Sequence, residues 1–137
     1  MLGHLIVAHL RDGTVLKGKS LDVDAKKPTC FIRPRGGEPV EIALGDTKAL
    51  FFVKTEEGRP GYQEATEATS GDVRLVGAKK VRVRFQDGEE VVGLMNRFPP
   101  NQPFFYMLPI DPASNNIRIL VNRAAVVDLQ AMNGGAA

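Results

Sequence analysis

The stretch LRDGTVLKG (Leu10–Gly18) is written a second time as FQDGEEVVG (Phe85–Gly93), 75 positions further on. Each version has an apolar residue, a polar residue, Asp-Gly, four residues and another Gly. Asp-Gly between alternating apolar positions is a strong hairpin signal. A Gly inside the strand that follows marks a bulge or a sharp bend. The phrase predicts a hairpin with a bent second strand, and predicts it twice.

The match extends outward from there. At the same offset Ile6, Ala8 and Leu10 meet Val81, Val83 and Phe85, and Leu16, Val23 and Ile32 meet Val91, Phe98 and Met107. Pro28 and Pro34 meet Pro103 and Pro109, with no gap from Ile6 to Pro34. Beyond Pro34 an offset of 77 aligns Val40, Ile42 and Leu44 with Ile117, Ile119 and Val121, and Leu50 and Phe52 with Val127 and Leu129. The turn IDPASNN is then two residues longer than its counterpart, an even insertion that keeps every strand side chain on its face. Each copy reads as five strands: about 5–11, 15–23, 29–33, 39–44 and 48–54, then 80–86, 89–98, 104–109, 116–121 and 125–130. The fold class expected is all-β: two tandem five-stranded SH3/Sm-like barrels, residues 1–54 and 79–131, forming an intramolecular pseudo-dimer. Residues 55–78 read as a polar linker with a helical turn at Tyr62–Ala68, either an exposed tether or a segment held across both barrels by Tyr62. Residues 132–137 read as a frayed tail.

The pattern apolar-x-x-Asp-Gly-x-x-x-x-Gly, running in the first copy to Asp24, resembles the first motif of Sm-like proteins. That resemblance implies small barrels, some of which bind RNA through an Asn after the second strand and an Arg-Gly before the fifth. Here those places hold Pro28 and Pro103, then Gly45-Asp46 and Asn122-Arg123. The order of KALFFVKTEEGRPGYQE, the DGE phrase and DPASNNIRILV also resembles an uncharacterised bacterial family of tandem modules sometimes found beside PilZ domains. No Arg-x-x-x-Arg with a following Asp/Asn-x-Ser-x-x-Gly is present, so no cyclic-dinucleotide site is carried over.

Some strands are apolar on both faces. ALFFV sets Leu50 and Phe52 against Ala49, Phe51 and Val53, and PFFYMLPI sets Phe104, Tyr106 and Leu108 against Phe105 and Met107. Unbroken apolar runs are the mark of strands buried on both sides. The cover expected is the other copy, with a homo-oligomer or protein partner as the rival.

Composition narrows the function. The chain has 137 residues, 43% hydrophobic and 25% charged, with net charge +2. These values fit a globular protein, and the net charge is too small to argue by itself for a phosphate-binding surface. No apolar run reaches the length of a membrane span, and the start lacks the basic region and cleavage site of a signal peptide. The single Cys30 fits a reducing cytoplasm. His4 and His9 are five apart, on opposite faces of a strand, and make no metal pair. No catalytic or metal motif is found, so the expectation is no enzyme and no cofactor.

The stretch NRFPPNQP (Asn96–Pro103) stands out as a proline-fixed loop with hydrogen-bonding side chains. With the strand after it, it supplies the expected partner or ligand surface: Arg97, Asn101, Gln102, Phe104 and Tyr106. The first functional expectation is a protein-binding interaction module. The second is RNA or single-stranded nucleic-acid binding through Lys26, Lys27, Arg33, Arg35, Arg82, Arg84, Asn122 and Arg123. The third is ligand sensing at the loop itself.

Overall fold

Both Asp-Gly phrases form the same turn. Gly13 and Gly88 take φ of 95° and 91°, in the left-handed region where a glycine carries no Cβ penalty. The Gly13 N–H donates to Leu10 O (3.1 Å) and the Gly88 N–H to Phe85 O (2.9 Å). Each Asp then accepts from the backbone two residues on: Asp12 from the Thr14 N–H (2.8 Å) and Asp87 from the Glu89 N–H (3.0 Å).

The computed structural model describes residues 3–58, 60–66, 74 and 77–132, and it is all-β. Its strands are β1 (His4–Leu10), β2 (Val15–Ser20), β3 (Thr29–Ile32), β4 (Val40–Ala43), β5 (Thr47–Val53), β6 (Lys79–Phe85), β7 (Glu90–Met95), β8 (Phe104–Pro109), β9 (Asn116–Asn122) and β10 (Val126–Ala131). Eight of them make one antiparallel sheet in the order β10-β6-β7-β8-β9-β5-β1-β2, while β3 and β4 pair separately. A single Lys19–Arg33 bridge ties β2 to β3. Each half therefore runs fifth, first, second, third, fourth. No ladder among the described residues joins β4 to β5 or β9 to β10, so the sheets are not closed.

The second Gly of each phrase does more than bend its strand. A Cβ on Gly18 would lie 2.3 Å from Arg33 O, and one on Gly93 would lie 2.3 Å from Leu108 O. The third strand's backbone crosses there, and only glycine leaves room.

The register corrects the offset expected beyond Pro34. Thr29 pairs with Ala43 and Phe104 with Asn122; Leu50 pairs with Ala8 and Leu129 with Val83. The 3₁₀ turns before the last strands, Leu44–Asp46 and Arg123–Ala125, agree. The offset is 79, not 77, and the second turn is four residues longer. Asn122 is therefore the counterpart of Ala43, and Arg123 of Leu44.

The halves join through β5 and β9, with Phe51 opposite Ile119 and Phe52 opposite Arg118. Fifth strand meets fourth, so the join is made by unlike strands. All of β5 is buried. Ala49, Phe51 and Val53 share one core with Val81, Val83, Phe85, Phe105 and Met107 of the second half. Leu50 and Phe52 share another with Ile6, Cys30, Ile32 and, from β9, Leu120. The two-faced strand is covered on its second face by the other half. Arg11 adds a hydrogen bond to Gln86 (3.3 Å), and the buried Asn122 amide donates to Thr47 O (2.8 Å) and Gly45 O (3.3 Å).

The segment between the halves is tied down where it is described. The Tyr62 hydroxyl and the Ala65 N–H donate to the buried Asp111 carboxylate (2.6 and 2.8 Å). The Arg74 guanidinium donates to Pro109 O and Ile110 O (2.8 and 2.9 Å), and Asn115 exchanges hydrogen bonds with Thr55. The longer IDPASNN turn is the dock for this segment, with Tyr62 one of its anchors. The helical turn expected at Tyr62–Ala68 is absent over 62–66, and 67–68 lie outside the described residues. Of the expected tail, Met132 donates its N–H to Lys80 O (2.8 Å), and 133–137 lie outside.

Candidate functional site

Strands β7 and β8 pair only at Gly93–Pro109 and Leu94–Leu108, and then part. The loop 96–103 fills the divergence, with Asn96, Arg97, Asn101 and Gln102 exposed on it, and its Phe98–Pro99 peptide is cis. Between loop and strand lies an open cleft of about 250 Å³. Its walls include Asn96, Arg97, Asn101, Gln102, Phe104 and Tyr106, with Ala25 from the corresponding loop of the first half opposite. All five residues expected as a partner surface thus line one cleft. On the other side of Tyr106 is a second hollow of about 490 Å³, walled by Asn96, Leu108 and Arg118 and bounded by Arg74.

Tyr106 stands between the two hollows and is 37% exposed. The Arg118 guanidinium lies between aromatic rings, 4.2 Å from the Phe52 centroid and 4.9 Å from that of Tyr106. Such a cation is held by ring faces without being neutralised. Burial raises the Tyr106 phenol above its ordinary value; Arg118 opposes this and Asp24 adds to it. Arg118 escaped the sequence reading. Its one signal was an arginine two residues before Leu120, on the same face of β9.

A second cluster sits at the join. Lys48, 6% exposed, extends from β5 to the Asp87 carboxylate (2.7 Å) and to that of Glu89, with its ammonium 4.8 Å from the Phe85 ring. Burial opposes the Lys48 charge, but the two carboxylates outweigh it and raise its pKa. The Lys48 hydrogen bond, with that from the Glu89 N–H, lowers Asp87. Beside them, burial and then the Lys48 charge lower His9. Satisfied charges on a buried strand make a fastening between the halves.

The basic residues do not converge. Arg82 and Arg84 lie near Glu90 (3.8 Å) and Asp128 (3.9 Å). Asn122 is buried, and Arg123 donates to Val126 O (3.3 Å). Lys26, Lys27, Arg33 and Arg35 are exposed on the first half. His4 packs edge-on to Phe52 and His9 to Phe51, on opposite faces. Burial, with Asp22 adding, pushes the Cys30 thiol up to about 11, which suppresses the thiolate. Among the described residues no group of three His, Cys, Asp or Glu could hold a metal ion, and no helix is long and apolar enough to cross a membrane.

No curated protein and no solved structure matches the chain. One family model does, over residues 3–133: a family of unknown function, DUF6982. A match over nearly all of the chain, on the all-β framework that carries the Tyr106 cleft, makes this protein a member of that family.

Proposed function

We propose that this protein is a non-enzymatic interaction module that binds a protein partner in the cleft beside Tyr106. In this reading each half is a half-open SH3/Sm-like barrel, the tandem pair is a rigid frame, and the setting is the cytoplasm. One observation carries it: Arg97, Asn101, Gln102, Phe104 and Tyr106 converge on a single cleft at a place where two strands part. A half-exposed tyrosine and arginine amid hydrogen-bonding side chains is the composition of a binding hot spot. The open shape suits an extended segment better than an enclosed small molecule. The scattered basic residues, with Arg82, Arg84 and Arg123, like Asn122, already engaged, make nucleic acid the weaker reading.

The test is site-specific crosslinking in the native cell. A photo-crosslinking amino acid at Gln102 should give a discrete protein adduct that Tyr106→Ala removes. The same probe at Asp12, in the hairpin at the far end of β2, should not. Adducts of equal yield from both positions, or none from Gln102, would refute the reading.

A further inference from the structure

The loops after β2 and β7 have equal length, 21–28 and 96–103, and corresponding positions differ by 75. Each bridges the gap where the second and third strands of its half part. In the first half that gap is filled from within. Asp22 Oδ1 accepts from the Phe31 N–H (3.0 Å) and from the Ser20 hydroxyl (3.0 Å). The counterpart of Phe31 is Tyr106. Alternate residues of an antiparallel strand direct their N–H groups to the same side. The Ile110 N–H points to β7, toward Val92 O (3.4 Å), so the Tyr106 N–H points that way too, into the gap.

What meets it differs. Arg97 stands in the place of Asp22, and Met95 in that of Ser20. Arg97 makes no hydrogen bond or ion pair among the described residues, and no side chain accepts from the Tyr106 N–H. Across the Tyr106 ring, Arg118 is held by Phe52 and Tyr106 and has no acidic partner among the described residues. The acid felt by Tyr106 is Asp24, on the opposing loop, and its Oδ1 accepts from the Lys26 N–H (2.9 Å). The second half has thus exchanged an internal carboxylate for a cation and left the backbone donor open.

We infer that this gap is a carboxylate receptor, and that its occupant is an acidic side chain of an extended partner peptide. The carboxylate takes the place that Asp22 holds in the first half: it accepts from the Tyr106 N–H and faces Arg97, a charge-assisted arrangement on both sides. Asp22 itself is the internal template for this ligand. The inference rests on the reading of the cleft as a protein-binding surface, and deepens it by naming what the cleft recognises.

The experiment follows the Tyr106 amide by NMR in the full-length, ¹⁵N-labelled protein. The probes, at millimolar concentration, are an acetylated serine–alanine peptide with one central glutamate, its glutamine counterpart, free N-acetylglutamate and a short single-stranded oligonucleotide. The glutamate peptide should shift the Tyr106 amide, and the glutamine peptide should bind roughly tenfold more weakly or worse. Arg97→Asp should refill the gap as Asp22 does: the variant stays folded, its Tyr106 amide is already displaced, and the peptide response is lost. Equal binding of the two peptides overturns the carboxylate receptor and leaves the protein-binding module standing. A response to N-acetylglutamate as strong as to the peptide overturns the peptide occupant, and with it the protein-partner reading. A stronger response to the oligonucleotide, an unchanged response in Arg97→Asp, or no response to any probe overturns the proposal outright.

Discussion

Asp12 and Asp87 make the same turn in different company. Both accept from the N–H two residues on, and both precede a glycine of positive φ. Asp12 stops there, exposed. Asp87 also holds Lys48, which reaches it from the other half across the join. The counterpart of Lys48 at the true offset is Val127, which is 57% exposed on the outer edge of β10. The same contrast returns at the loops, where Asp22 plugs its gap and Arg97 leaves one open. The residues that set the backbone are the same in both halves: a turn-forming Asp, a glycine of positive φ and a glycine at the strand crossing. Positions that face the join or the gap differ between the halves, and so do the contacts made there.

That contrast can be broken at its strongest point first. Gly18→Ala and Gly93→Ala each drive a Cβ into a carbonyl oxygen of the next strand. Each should cost about 3 kcal/mol or more in chemical denaturation, or prevent folding. Similar losses at both sites would confirm equal backbone demands, and a tolerated alanine at either would contradict them. Next, Asn122→Ala removes the buried amide that bonds Gly45 O and Thr47 O, and should cost about 2 kcal/mol. Lys48→Ala should cost about 1–2 kcal/mol, counting lost hydrogen bonds and the stem's contact with Phe85, while Val127→Ala stays within about 0.5 kcal/mol. Equal effects at 48 and 127 would erase the asymmetry between the halves.

The smallest effect is read against pH. Asp87 is depressed below its ordinary 3.8, so the stability it contributes is present above that value and is lost as pH falls through its folded value. Asp87→Asn should therefore flatten the acid limb of the stability curve below about pH 4. Asp12, depressed through the Thr14 N–H but fully exposed, should leave that limb nearly unchanged when replaced by Asn. If the two variants flatten it alike, Lys48 is not what distinguishes the turns.

The turns, the crossing glycines and most of the strands were legible because each depends on residue types with few alternatives. The offset beyond Pro34 was not. Strand side chains repeat every two residues, so 77 and 79 put the same residues on the same faces, and only hydrogen-bond register separates them. The run ALFFV showed that β5 is covered on both faces, yet nothing local to it could say that β9 does the pairing. The loop 96–103 was readable as a surface from its prolines, amides and arginine. Its open Tyr106 N–H was not, because every residue carries that group and only the parting of β7 and β8 frees this one. Arg118 became part of the site only when β5 and β8 brought Phe52 and Tyr106 to either side of it.

The join between β5 and β9 has one more consequence. Two halves meeting through like strands would satisfy each other and finish. A fifth strand meeting a fourth leaves one of each kind over, and here these are the outer edges of β10 and β4, where Val127 and Val40 are 57% and 41% exposed. Such a ladder is a polymer's bond by geometry, able to add unit after unit. The chain spells the fasteners of that bond once. Val127 replaces Lys48, Ala43 replaces Asn122, and Thr14 stands where Glu89 does. A third unit laid on either edge would find the same backbone and none of the ammonium or amide contacts that fasten the first two.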